Sequence, residues 1–106
     1  MVPTNLITLQ FERTGDMQCL DDAVKYECSV LAATKSGDMK RPRRLNALGN
    51  MLSRKFHYTG KSEYLDEAIE RLHEAVLTTR PHSKIEKATY LVNLARTLLA
   101  KFQRRG

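Results

Sequence analysis

The sequence predicts an all-α fold, a superhelix of about five antiparallel helices stacked pair upon pair. Three observations predict it. Apolar residues recur at steps of three and four, and no segment keeps the alternation of a strand. Turn signals interrupt the periodic stretches at short intervals. The chain also repeats itself at a period of about 45 residues, and repetition at that length is the mark of stacked helical hairpins. Phe11-Glu12-Arg13-Thr14-Gly15-Asp16 returns as Phe56-His57-Tyr58-Thr59-Gly60-Lys61, and at the same shift Leu20, Asp21, Ala23 and Val24 meet Leu65, Asp66, Ala68 and Ile69. A second block, Leu45, Leu48, Leu52, Lys55, Phe56 and Gly60, meets Leu91, Leu94, Leu98, Lys101, Phe102 and Gly106 at a shift one residue longer. The extra residue falls near Pro81–Lys87, where a turn absorbs it.

The helices are expected at about 3–14, 17–35, 41–58, 62–79 and 83–104. Odd-numbered ones are first members of a pair, even-numbered ones second members. The first ends at Gly15-Asp16. The second carries Leu20, Ala23, Val24 and Leu31, with Glu27 at a position that the repeat fills with Leu72, so this unit is the weaker one. Ser36-Gly37-Asp38 breaks the chain. Pro42 suits the first turn of the third helix, where its missing N–H loses no bond. That helix buries Leu45, Ala47, Leu48, Met51, Leu52 and Phe56, and Gly60 suits the left-handed residue that ends it. Ser62 is expected to cap the fourth helix, whose early acids Glu63, Asp66 and Glu67 suit the positive end of its dipole. Leu65, Ala68, Ile69, Leu72, Ala75 and Val76 form its seam. Ser83-Lys84-Ile85-Glu86 reads as a capping box opening the fifth. Short loops make neighbours antiparallel. The whole is one domain, 1–106, made of a partial repeat 1–37, a repeat 38–82 and a half repeat 83–106.

Composition excludes several classes. The chain has 106 residues, 18 Lys and Arg against 12 Asp and Glu, and a net charge of +6. No apolar run approaches the roughly 18 residues of a spanning helix, and the N-terminus lacks a basic region followed by an apolar block. Cys19 and Cys28 lie on opposite faces of one helix and cannot bridge each other there. They read as reduced thiols of a cytoplasmic, intracellular chain. No His pair, Cys pair, nucleophile motif or glycine-rich phosphate loop is present. The expectation is no enzyme, no metal site, no cofactor and no membrane partner.

The order Leu45, Leu48-Gly49, Leu52, Ala68, Leu72, Ala75 and Pro81 resembles the tetratricopeptide repeat. The Leu48–Ala68 separation is about seven residues longer than in the 34-residue form of that family. Arg44-Leu45-Asn46-Ala47-Leu48-Gly49-Asn50, followed by Phe-x-x-Thr-Gly, is similar to the elongated repeats of large fungal multidomain proteins. The resemblance implies a right-handed α-α superhelix and a protein–protein interaction scaffold. It implies no substrate.

In similar proteins the polar side of each first helix lines a concave groove. Here Arg43, Asn46, Asn50, Ser53, Arg54 and His57 share an arc of about 100° opposite the apolar stripe. The corresponding positions are Asn5, Thr8, Leu9 and Glu12 in the first unit, and Thr89, Val92, Arg96, Leu99, Ala100 and Gln103 in the last. The resemblance implies an extended peptide held by Asn5, Asn46 and Asn50 through its main chain, with Arg43, Arg54, His57 and Arg96 favouring acidic side chains. Alternatively these asparagines are simply solvated or bonded to an adjacent helix.

Charge segregates with helix parity. Between Met39 and Ser62 there are seven basic residues and no acid, whereas Glu63, Asp66, Glu67, Glu70 and Glu74 crowd the next helix. Part of this is helix-to-helix complementarity. Lys40, Arg41, Arg43 and Arg44, however, crowd a helix N-terminus against its dipole, which an anionic partner would relieve. A nucleic-acid reading of that cluster is the weaker one, since no aromatic is interleaved for base stacking. The fifth helix is apolar over about half its circumference. Val92 and Leu99 lie beyond the expected stripe, and Ile85, Val92 and Leu99 are candidates for an interface. A longer array, a homo-oligomer or the floor of a peptide pocket would each account for them.

Overall fold

The computed structural model describes residues 17–80 and 83–105. The expected helix at 3–14, the Gly15-Asp16 break, Asn5 and Pro81 lie outside the described residues. Four helices are observed, α1 Met17–Ala33, α2 Arg41–Thr59, α3 Ser62–Thr78 and α4 Lys84–Arg105, with no strand among the described residues. Each packs on its neighbour in the chain, and α2 also touches α4. The body measures 40 × 40 × 22 Å. Its thin dimension is about that of two helices side by side. None of these helices is long and apolar enough to cross a membrane.

The core is the α2–α3 seam. Leu45, Leu48, Leu65, Ala68, Leu72 and Ala75 are at most 1% exposed, and Leu52 is 2% exposed. Burying a leucine side chain contributes about 1.5–3 kcal/mol, so this seam is the main source of stability. Gly49 sits where the two helices cross. A Cβ there would stand 2.6 Å from Leu72 Cγ and 2.8 Å from its Cδ2, so only hydrogen permits that approach.

Turn chemistry follows the sequence in most places. Gly60 is left-handed (φ 72°) and its N–H donates to Phe56 O at 2.7 Å. Pro42 lies in the first turn of α2 and is buried. α4 opens with the Lys87 N–H donating to Ser83 O at 2.9 Å, but the Ser83 N–H, which the expected capping box would give to Glu86, donates to Arg80 O at 3.0 Å instead. The cap expected of Ser62 is not formed. Ser62 is the first residue of α3 and Lys61 precedes it without a side-chain cap, while the Lys61 N–H is taken by Thr59 Oγ1 at 3.2 Å. A hydroxyl two residues earlier does the work because Gly60 turns the chain back over it.

The crowd of cations at the start of α2 also has an internal explanation. Arg41 donates to the carbonyls of Leu31 and Thr34, each at 3.2 Å, and through Nε and Nη2 to Glu74 Oε2 at 3.3 and 3.2 Å. The guanidinium thus sits at the negative end of α1, where it meets the Thr34 carbonyl and shares the Leu31 carbonyl with the Thr34 N–H, which donates to it at 3.0 Å. Arg44 Nη1 lies 3.6 Å from Glu27 Oε1. Asp38, which breaks the chain before α2, accepts the Lys40 N–H at 2.8 Å. Intramolecular contacts therefore account for Arg41 and Arg44, and no external anion is required by them.

One ion pair occurs twice. Lys55 Nζ lies 2.7 Å from Asp21 Oδ1, and Lys101 Nζ lies 2.9 Å from Asp66 Oδ1. Lys101 and Asp66 are the residues that the repeat aligns with Lys55 and Asp21. The same first-helix lysine meets the same acid of the preceding helix in both units.

The inward face of α4 differs from the expected stripe. Tyr90 and Thr97 are buried, with Asn93, Leu94 and Ala100 half-buried beside them. Leu91 and Leu98 are both 46% exposed and Phe102 is 78% exposed. A helix at the end of a row meets its neighbours with one side only. α4 turns toward α3 and α2 the side that α2 turns toward α1, and leaves out the side that α2 buries on α3.

Candidate functional site

The polar face of α2 and the adjoining edge of α4 enclose an open groove of about 600 Å3. Its α2 wall carries Asn50, Ser53, Arg54 and His57, and its α4 wall carries Asn93, Arg96, Thr97 and Ala100. Among the described residues no acidic side chain lines it. Each side chain is in place because it lies a turn or two from its neighbour on one helix face, while the opposite face is pinned in the α2–α3 seam or against α3. Asn50, His57 and Arg96 are exposed and Arg54 is half-buried. The His57 ring meets the edge of Tyr58 in a T-shaped contact, with centroids 5.5 Å apart.

Asn50, Arg54, His57 and Arg96, four of the expected binding residues, therefore share one surface. Asn46 lies one turn before Asn50, but its Oδ1 accepts from Asn93 Nδ2 at 2.9 Å, so this amide joins α2 to α4. The asparagine bonded to an adjacent helix, left open by the sequence, is what is found at Asn46. Arg43 does not line the groove. It lies at the far end of α2 beside Tyr90 and faces a separate cavity of about 440 Å3 bordered by Lys40, Thr79 and Glu86. Asn5 lies outside the described residues. Of the α4 positions expected to face the groove, Arg96 and Ala100 do, whereas Val92 and Leu99 do not.

Asn93 and Thr97 were not expected there. Asn93 occupies the register position of Ala47, and a polar residue at a place where the previous unit has alanine is a signal that the sequence contained. Thr97 is 4% exposed, and its hydroxyl is satisfied by Asn93 O at 2.8 Å. The expected interface residues Ile85, Val92 and Leu99 are 84%, 52% and 54% exposed on the outer side of α4.

Two titratable groups outside the groove are shifted. The Lys55 ammonium is held above its ordinary value of 10.5, chiefly by its hydrogen bond to Asp21, against desolvation and with help from Tyr64. It also lies 4.4 Å from the centre of the Tyr64 ring. Burial raises the Tyr90 phenol above 10.0, the Glu86 carboxylate adds to this, and Arg43 opposes it. Both groups keep their protons longer in the folded chain than in the unfolded one. Above the unfolded values the unfolded state binds fewer protons, so stability falls as pH rises. Urea midpoints measured from about pH 9 to about pH 11 are expected to decline, and Lys55→Met together with Tyr90→Phe is expected to flatten that decline. An equally steep decline in the double variant would show that other groups control it.

The groove is chemically a donor surface. Guanidinium groups give paired donors that match carboxylates, and a primary amide offers both a donor and an acceptor to a main chain. Compared with family models, with curated proteins and with solved structures, the chain finds no match.

Proposed function

We propose that this chain is a protein-interaction module of tetratricopeptide-like stacking, whose groove between α2 and α4 takes an extended acidic peptide. The observation that carries the reading is the convergence of Asn50, Arg54, His57 and Arg96 on one open surface that no acid among the described residues lines. The repeated ion pairs Lys55–Asp21 and Lys101–Asp66 support stacking at a fixed register. Asn50 would hold the peptide main chain, and Arg54 and Arg96 would draw its carboxylates.

Calorimetric titration with an acidic peptide library tests this. Asn50→Ala and Arg96→Glu are each expected to weaken binding at least about tenfold, or about 1.4 kcal/mol. Binding is expected to weaken with added salt, because the attraction acts at a solvated surface. Equal binding by wild type and both variants removes the groove. A second reading, a structural segment that assembles with other helices and takes no peptide, is favoured by the exposure of Ile85, Val92 and Leu99. Nucleic-acid binding through Lys40–Arg44 has less support, since Arg41 and Arg44 are engaged within the chain.

A further inference from the structure

The outer side of α4 is the counterpart of a surface that the same chain covers elsewhere. In α2 the residues Leu45, Leu48, Gly49 and Leu52 face α3, the leucines among them at most 2% exposed, and Phe56 ends the same stripe, half-buried and bordering the groove. Their register partners on α4 are Leu91, Leu94, Ala95, Leu98 and Phe102. Leu94 is half-buried against the body, whereas Leu91, Ala95, Leu98 and Phe102 are exposed. Four apolar residues spaced 91, 95, 98 and 102 form a seam of the spacing one helix offers another. Val92 and Leu99 widen it on one edge.

Charge completes the parallel. Cations of α2 pair with acids on both flanking helices: Lys55 with Asp21 and Arg44 with Glu27 of α1, and Arg41 with Glu74 of α3. On α4, Lys101 already takes Asp66 from the preceding helix. Lys87 stands at the register position of Arg41, four residues before Leu91 as Arg41 is four before Leu45, and it is exposed. A helix lying on this seam would bring an acid to Lys87 if it followed the pattern of α3.

We infer that the Leu91–Phe102 seam of α4 docks an acidic amphipathic helix of the α3 pattern, laid antiparallel, with small residues in its apolar stripe and a carboxylate meeting Lys87. The occupant differs from α3 in one respect. Gly49 admits Leu72 because it has no Cβ, whereas Ala95 carries one, so the docking helix has a residue smaller than leucine at the place of Leu72. This surface is separate from the groove and does not depend on its ligand.

The test uses a synthetic peptide of the sequence Ser62–Thr78 carrying Leu72→Ala, titrated into the 15N-labelled full chain. Amide shifts are expected to move at Leu91, Ala95, Leu98 and Phe102. The unsubstituted peptide is expected to bind several-fold more weakly. Leu98→Glu, and independently Phe102→Glu at the more exposed position, are expected to reduce affinity at least tenfold. Lys87→Glu is expected to weaken binding, and a peptide with Glu74→Lys to restore it. Shifts confined to Asn50 and Arg96, or no shifts at millimolar peptide, overturn the inference. Self-association that Leu98→Glu abolishes and the peptide does not compete with also overturns it, and assigns the seam to a second copy of the chain.

Discussion

Leu72→Ala is expected to lower the stability of this chain by about 2–5 kcal/mol. Leu72 is fully buried in the α2–α3 seam and lies over Gly49. Removing its branch takes apolar surface away and leaves a cavity that two helices pinned by Leu45, Leu48 and Leu65 do not close. Gly49→Ala is expected to destabilise as well, by about 1–3 kcal/mol, since the new methyl would stand 2.6 Å from Leu72 Cγ. The two changes are complementary. With Ala at position 72 the methyl at position 49 enters the vacated space. The double variant is therefore expected to be more stable than the sum of the singles predicts, with a coupling of about 1–3 kcal/mol in urea unfolding. Strict additivity would mean that the helices separate on overpacking, and that Leu72 does not set their distance.

The second large effect has the opposite sign. Glu27 is 8% exposed within the apolar surroundings of α1, at the place that the repeat gives to Leu72. Among the described residues its Oε2 has no hydrogen-bond partner, and its Oε1 reaches Arg44 only at 3.6 Å. A buried carboxylate so thinly compensated loses more hydration than the pair returns; replacing both members of a buried pair by apolar residues is often neutral or stabilises by about 1–4 kcal/mol, and replacing Glu27 alone approaches that result only because Arg44 keeps its access to water. Glu27→Leu is expected to raise the thermal midpoint. The freed Arg44 remains solvated, since 39% of its side chain is accessible. A lowered midpoint would show that the Arg44–Glu27 pair holds α1 on α2 by more than its desolvation costs.

Much of this architecture was legible in the residue order. The helix boundaries at Arg41, Gly60 and Ser83 follow from Pro42, the left-handed glycine and the serine before the last apolar run, because each acts within a turn of itself. The α2–α3 seam follows too, since three- and four-residue spacing puts Leu45, Leu48 and Leu52 on one side whatever they meet. The groove was half legible. Asn50, Arg54 and His57 share a helix face by arithmetic, and Arg96 comes from the register of the repeat. Asn46 and Arg43 belong to the same arc, yet one is spent on Asn93 and the other stands beside Tyr90. Which partner a polar side chain finds depends on the approach of another helix, and an arc on one helix does not contain that approach.

The residue order by itself determined that this chain is helical, where its helices turn, and that its units recur with the same apolar seam. Those are properties of spacing, and spacing is local. Only the tertiary structure decided which side of α4 faces inward, that Arg41 serves the carbonyl end of α1, and that Glu27 is buried against Arg44. The physical reason is that a helix with apolar residues over half its circumference has two seams to offer. The neighbours present, rather than the pattern, choose the one that is covered.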